Sequence, residues 1–265
     1  MYEYETLLVE RRDNGVAIVT LNRPDRMNTL GGTMKPDLWD LFQNKLLEDR
    51  DLRCVILTGA GDKAFCAGAD IKERAANKLP LAEYYAKQKY THDLTLLIEN
   101  FERPVIGAIN GYALGGGMEI ALSTDIRFAA DHAKMGLPEV NLGAFPAAGG
   151  TQRMPRLVGA PLAKELIFTG RHIDAAEALS HGLVNKVVPG AELMDAALDL
   201  ADRIAEKPPL SVSFIKGAVN TGLQVGLEAG LQYERLNAAI VLQSEDRTEG
   251  MKAFVEKRKP VFRGV

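Results

Sequence analysis

Cysteine is scarce in this chain: Cys54 and Cys66 are the only two among 265 residues, and neither belongs to a Cys-x-x-Cys pair. That argues against a disulfide framework or a cysteine-built metal site and predicts a reduced compartment. No apolar run approaches the ~20 residues that a membrane span needs. The opening Met1-Tyr-Glu-Tyr-Glu-Thr6 is acidic and lacks an apolar core, so no secretory signal is expected. A cytoplasmic location follows, although a mitochondrial matrix protein relieved of its transit peptide would read the same. An excess of positive charge is also missing. A formal charge of −3 argues against a protein dedicated to nucleic acid, whose phosphates call for a basic surface. Gly-x-Ser-x-Gly, His-Glu-x-x-His, a P-loop and a strand-coupled Gly-x-Gly-x-x-Gly are all lacking. Serine hydrolase, zinc protease, nucleotidase and dinucleotide readings lose their support accordingly.

What is present is an ordinary apolar content of 46 %, enough for one large domain or one domain with an appendage. Leu7-Leu-Val-Glu-Arg11 and Val16-Ala-Ile-Val-Thr-Leu21 flank Asp13-Asn-Gly15, a strong hairpin signal. Residues 33–48 set Met34, Leu38, Leu41, Phe42 and Leu46 on one helical stripe. Arg53–Thr58 and Pro104–Asn110 read as buried strands, and 81–99 as a helix. Short strands are expected at Ile126–Ala130 and Lys134–Gly136. Strand, turn and helix thus recur without sequence identity between units, which favours an α/β spiral over a doubly wound sheet. Later segments are helical. Asp174-x-x-Glu177 and Asp246-x-x-Glu249 read as capping boxes, and Leu193, Ala197, Leu200 and Ile204 form an amphipathic stripe. The expected division is a core over 1–195 and a helical region over 196–265, apolar enough to suggest a homo-oligomer.

Three glycine-bearing stretches carry the chemistry: Ala64-Phe-Cys-Ala-Gly-Ala-Asp70, Gly111-Tyr-Ala-Leu-Gly-Gly-Gly-Met-Glu119 and Leu137-Pro-Glu139. Gly115-Gly-Gly117 could be no more than a tight strand-to-helix turn. It could equally let backbone N–H groups approach a ligand without a Cβ in the way, at the start of a helix that favours negative charge. Glu119, with Ser123 and Arg127, fits a solvated helix stripe. It also sits among Met118, Ile120, Ala121 and Leu122, where burial would raise its pKa toward that of a neutral-pH proton donor. Glu139 fits a surface loop, though Pro138 stiffens the approach to it. Asp70, with Glu73 three residues on, reads as a helix cap. Cys66 as a nucleophile would need an activating base, and none of His92, His132, His172 and His181 stands in a motif that supplies one. Lys257-Arg-Lys259 could simply complement a helix C-terminus.

These motifs resemble the crotonase superfamily, the enoyl-CoA hydratase/isomerase family. The likeness runs from Leu21-Asn-Arg-Pro24 through Phe65-Cys-Ala-Gly-Ala-Asp-Ile71, Asn110-Gly-Tyr-Ala-Leu-Gly-Gly-Gly117, Gly149-Gly-Thr-Gln-Arg153, Thr169-Gly170 and Gly182-Leu-Val184 to Gly250–Arg258. So many matches in order are specific where each alone is weak. The resemblance implies a crotonase-like spiral of β-β-α units with a C-terminal helical trimerisation region, assembled as a trimer or dimer of trimers. It implies an acyl-coenzyme A substrate, with the Ala69 and Gly116 amides gripping the thioester oxygen. Glu119 and Glu139 would be the catalytic pair, a combination that marks hydratases in particular. Contacts to the substrate and its coenzyme A portion would come from Ala67, Gly68, Asp70, Ile71, Leu114, Phe254 and Lys257, the last two often from a neighbouring subunit. Tyr84 and Tyr85 are candidate acyl-pocket walls. No metal and no redox cofactor is expected.

The leading expectation is therefore addition of water to a trans-2-enoyl-CoA. The rivals are a Δ3-Δ2-enoyl-CoA isomerase, a hydrolase or dehydratase of a specialised acyl-CoA, and an acyl-CoA-binding oligomer without turnover. One departure matters: Pro146-Ala-Ala-Gly-Gly-Thr-Gln-Arg153 carries Ala147 where many hydratases have glycine. A positive φ at that turn would strain the alanine and displace the catalytic water.

Overall fold

The computed structural model describes residues 3–76 and 79–265. Its framework begins with the antiparallel hairpin β1 (Leu7–Arg11) and β2 (Val16–Leu21), in register from Leu7 opposite Leu21 to Arg11 opposite Ala17. Gly15 closes the turn at φ 92°, a left-handed value that suits glycine. Helix α1 (Met34–Asp40) runs into a π-helical turn over Leu41–Leu46. The expected stripe survives this change, with Met34, Leu38, Leu41, Phe42 and Leu46 all buried.

From there the chain alternates between two sheets. β3 (Cys54–Gly59) is followed by β4 (Ala64–Cys66), α2 (Ile71–Ala76) and α3 (Leu81–Glu99). β5 (Val105–Ile109) is followed by β6 (Tyr112–Leu114) and α4 (Gly116–Leu122). β7 (Ile126–Ala130) leads to β8 (Lys134–Gly136), a 3-10 helix over Pro138–Leu142, α5 (Gly150–Val158) and α6 (Ala160–Thr169). Short β9 (Ile173–Asp174), α7 (Ala175–Ser180), β10 (Lys186–Val188) and α8 (Leu193–Ala205) complete the spiral. The larger sheet has the order β1-β2-β3-β5-β7-β10 and the smaller β4-β6-β8-β9. From β3 to β8 each successive pair of strands thus gives one strand to each sheet. Among the described residues only β1–β2 and β8–β9 pair antiparallel. This is the crotonase fold.

Every residue of β3 and β5 is buried. Unbroken apolar runs of this kind suit parallel strands covered on both faces. Phe42 meets Phe101 edge to face at 5.2 Å, and Leu94 and Ile98 of α3 join the same core. The expected division at 195/196 falls inside α8, whose Leu193, Ala197 and Ala201 are all buried in that core.

Beyond it lie α9 (Pro209–Gly222), α10 (Leu227–Leu242) and α11 (Glu245–Glu256). Lys216 of α9 ties this region to the core through Asp125, at 2.8 Å, and through the Arg103 carbonyl. The Asp174 cap forms as expected, accepting from the Glu177 amide at 2.8 Å. The second cap does not. Ser244 caps α11 through the Arg247 amide, while the Asp246 carboxylate accepts the Arg263 and Gly264 amides. Asp246 is drawn off by the returning C-terminal tail, a long-range contact that outweighs the local signal.

Candidate active site

Strands β4 and β6 pair in parallel, Cys66 beside Ala113, so the loops leaving their ends emerge side by side. Glycine permits the close approach. A Cβ on Gly68 (φ 88°) would lie 2.6 Å from the Leu114 carbonyl oxygen, and one on Gly117 would overlap the Cys66 carbonyl. Gly115 adopts φ 53° and ψ −126°, outside the ordinary range of L-residues. The result brings Ala69 and Gly116 together: the Cβ direction of Gly116 ends 3.9 Å from the Ala69 nitrogen. Among the described residues neither amide donates to any protein acceptor, and both residues are only half-buried. Two adjacent free donors of this type suit a developing oxyanion.

One turn into α4, Glu119 is buried to 2 %. Its Oε1 accepts the amides of Ala148 at 2.6 Å and Gly150 at 2.9 Å. Burial raises its pKa overall, against the smaller lowering pull of those two amides, Arg153 and His92. The solvated-stripe alternative fails. Helix α4 ends at Leu122, Ser123 turns its hydroxyl to the Glu119 carbonyl, and Arg127 is buried on β7.

Glu139 enters on the 3-10 helix, which Pro138 opens and Gly143 closes at φ 62°. Its carboxylate lies against the backbone of Gly115: Oε1 is 3.0 Å from where a Cβ there would stand. Oε2 is buried with no hydrogen-bond partner among the described residues. Burial, with the negative charge of Glu119 second among the raising influences, pushes its pKa up to about 7. The two carboxylates thus differ. Glu119 is held by two donors that favour its charged form, whereas Glu139 has a free oxygen and favours its proton.

The 146–150 turn closes the site. Ala147 has no positive φ; Gly149 takes the left-handed conformation instead, at φ 106°. The alanine is therefore free of the strain that a positive φ would impose. The Ala147 carbonyl accepts from Gln88 of α3. Sequence reasoning missed Ala148 and Gly150 as the groups that hold Glu119. Their signal was the Gly149-Gly150 pair, since a Cβ on Gly150 would lie 2.7 Å from Leu137 Cδ1 and 3.1 Å from Glu119 Oε1.

Asp70 behaves as a cap, accepting the Glu73 amide at 3.3 Å, and pairs with Arg23 at 3.5 Å. Ala67 is fixed by its amide donating to the Met27 carbonyl, and Gly68 by its carbonyl accepting the Leu30 amide. Leu114 ends β6 beside them, half-buried, while Ile71, Tyr84 and Tyr85 are exposed on α2 and α3. Cys66 is fully buried and its thiol is pushed up to about 12 by burial, so it packs rather than attacks. Phe254 is exposed on α11, and Lys257 is its left-handed C-cap. No hydrogen bond, ion pair or ring contact of the described residues joins either to the carboxylates or the two amides. The tail after α11 is held instead by Arg53, which precedes β3 and donates to the Phe262 carbonyl. Among the described residues no helix is long and apolar enough to cross a membrane.

The chain is similar to known proteins across nearly its whole length. The family model described as enoyl-CoA hydratase/isomerase matches residues 11–265. A short-chain-enoyl-CoA hydratase from Clostridium acetobutylicum is 43 % identical over 259 residues, covering 97 % of this chain and 97 % of that protein. An (E)-benzylidenesuccinyl-CoA hydratase from Thauera aromatica is 42 % identical over 253 residues, covering 95 % and 96 %. The crystal structure of an enoyl-CoA hydratase from Bacillus anthracis aligns with a TM-score of 0.94 at 42 % identity, covering 98 % of this chain and all of that one. The chain belongs to the enoyl-CoA hydratase/isomerase family.

Proposed function

We propose that the protein is an enoyl-CoA hydratase, adding water reversibly and syn across the C2=C3 bond of a trans-2-enoyl-CoA to give a 3-hydroxyacyl-CoA. The observation that carries this reading is the pair of unlike carboxylates beside two unpartnered amides. The Ala69 and Gly116 N–H groups take the thioester oxygen and stabilise an enolate-like transition state, each worth ~2.7–4 kcal/mol. Glu119, charged, orients the water and accepts a proton from it as the water oxygen bonds to C3. Glu139, protonated, delivers its proton to C2. The two carboxylates titrate as a coupled pair and exchange the proton back before the next turnover. No metal or redox group is needed for this chemistry. In this reading Ala67, Gly68, Asp70, Ile71 and Leu114 would line the path of the thioester. Beta-oxidation or a related breakdown of acyl-CoA thioesters in the cytoplasm is the setting this activity suits.

The same proposal gives the C-terminal region a partner. Leu227, Leu231, Leu236 and Ile240 of α10 are all exposed in one chain, an apolar surface that copies of the chain would cover in a trimer or dimer of trimers. Phe254 and Lys257 would then serve the coenzyme A portion from a neighbouring subunit.

Incubating crotonyl-CoA in water carrying a heavy oxygen isotope tests the reading. A 3-hydroxybutyryl-CoA with the label in its C3 hydroxyl is the expected product. A shifted double bond without label points to the isomerase instead, and binding without any turnover points to the non-catalytic oligomer.

A further inference from the structure

We infer that Arg153 is a positioning residue for Glu119, acting through the Ala148 backbone together with Thr95, Glu99 and Gln88 of α3. The inference rests on the reading of Glu119 as the base. Two successive peptide planes meet at Ala148. The first carries the Ala148 N–H, which donates to Glu119 Oε1 at 2.6 Å, and the Ala147 carbonyl, which accepts from Gln88 Nε2. The second carries the Ala148 carbonyl, which accepts from Arg153 Nη1 at 3.1 Å and Thr95 Oγ1 at 3.2 Å. Both planes are pinned by side chains, so the donor that orients the carboxylate cannot rotate freely.

The arginine itself is costly at this place. It lies in the first turn of α5, the positive end of a helix, where a cation is disfavoured, and only 12 % of its side chain is exposed. Glu99 Oε2 compensates by accepting from Nε at 3.0 Å and Nη2 at 2.6 Å. Gly149 is shaped around it as well: a Cβ there would overlap Arg153 Nη1. A buried ion pair is weak support for stability, and a broken local rule at such a place points to function. Glu119 is faced by Arg153 from α5, His92 from α3 and Glu139 from the 3-10 helix. The first two favour its charged form, and the third opposes it by like charge.

The test compares wild type with Arg153→Met and Arg153→Lys. It measures kcat, KM and thermal midpoint, and follows Glu119 titration by NMR on carboxyl-labelled glutamate, assigned with Glu119→Gln. Arg153→Met is expected to lower kcat about 10²-fold with KM little changed, and to move the Glu119 midpoint upward. Arg153→Lys keeps the charge and loses the second pin, so the midpoint returns toward wild type while kcat recovers only in part. An unmoved Glu119 midpoint with kcat and KM intact and only the thermal midpoint lowered overturns the inference. If Arg153→Met does not fold, Arg153→Lys and Gln88→Leu decide: a kcat equal to wild type in both overturns it. A wild type inactive on enoyl-CoA thioesters sinks the hydratase reading alone, because the Glu119 titration still judges the positioning role.

Discussion

The strands beneath the site and the C-terminal helices follow opposite rules. Every residue of β3 and β5 is buried, and the loops above them are fixed by glycine-to-backbone contacts that leave no room for a methyl group. In α10, Asn237 alone is buried, while large apolar side chains face outward. The contrast teaches that one chain builds its two carboxylates and two free amides unaided. Its helical end, by contrast, leaves large apolar side chains exposed, the surface that the proposed oligomer would cover.

The strongest test of that contrast is Glu119→Gln, which keeps the shape and removes the base. Hydration should fall by about 10²–10⁴-fold with the fold intact, seen as lost turnover at an unchanged far-ultraviolet circular dichroism spectrum. Gly117→Ala should come next. Its methyl group would lie 2.8 Å from Cys66 Cβ and meet a rigid carbonyl, so a loss of about 3 kcal/mol in urea unfolding is expected. The same change at Gly222, which has nothing within 4 Å of its Cβ direction, should be close to neutral.

A smaller effect concerns pH. The Glu139 pKa rises from an ordinary 4.5 to about 7 on folding, so folding binds the proton. The associated stability is present below about pH 4.5 and lost as pH climbs through about 7. Glu139→Gln should therefore be more stable than wild type at about pH 8 by about 1 kcal/mol, since solvent screens a half-buried carboxyl. That gain should vanish at about pH 4.5. Activity should be bell-shaped, falling at low pH as Glu119 gains a proton and above about 7 as Glu139 loses its own. Least costly to a single chain is Leu231→Ser on α10. Little change in the fold and a smaller species in analytical ultracentrifugation are expected, because Leu231 is 49 % exposed and touches the proposed partner rather than the core.

Local signals in the sequence were read well where local physics decides. Asp13-Asn-Gly15 produced the hairpin, and Ile126–Ala130 and Lys134–Gly136 became β7 and β8 with those same limits. The π-helical turn at Leu41–Leu46 was not legible, because a helical stripe looks the same with one extra residue in a turn. Asp246 misled because serine and aspartate both suit a cap, and only the tail returning from Arg263 decides between them. At the site, Glu119, Glu139, Ala69 and Gly116 carried motif signals. Their mutual placement depends on two loops made adjacent by the parallel pairing of β4 and β6, and no spacing along the chain encodes it. Ala148, whose contribution is purely backbone, could not announce itself through a side chain.

The central claim is that two carboxylates in unlike states act together on an enoyl thioester. The direct measurement is the loss of the conjugated thioester absorbance of crotonyl-CoA in wild type, Glu119→Gln and Glu139→Gln. Rapid loss in wild type that collapses in both variants is the predicted result. Undiminished loss in either folded variant, or none in a wild type that still binds coenzyme A thioesters, would contradict the account.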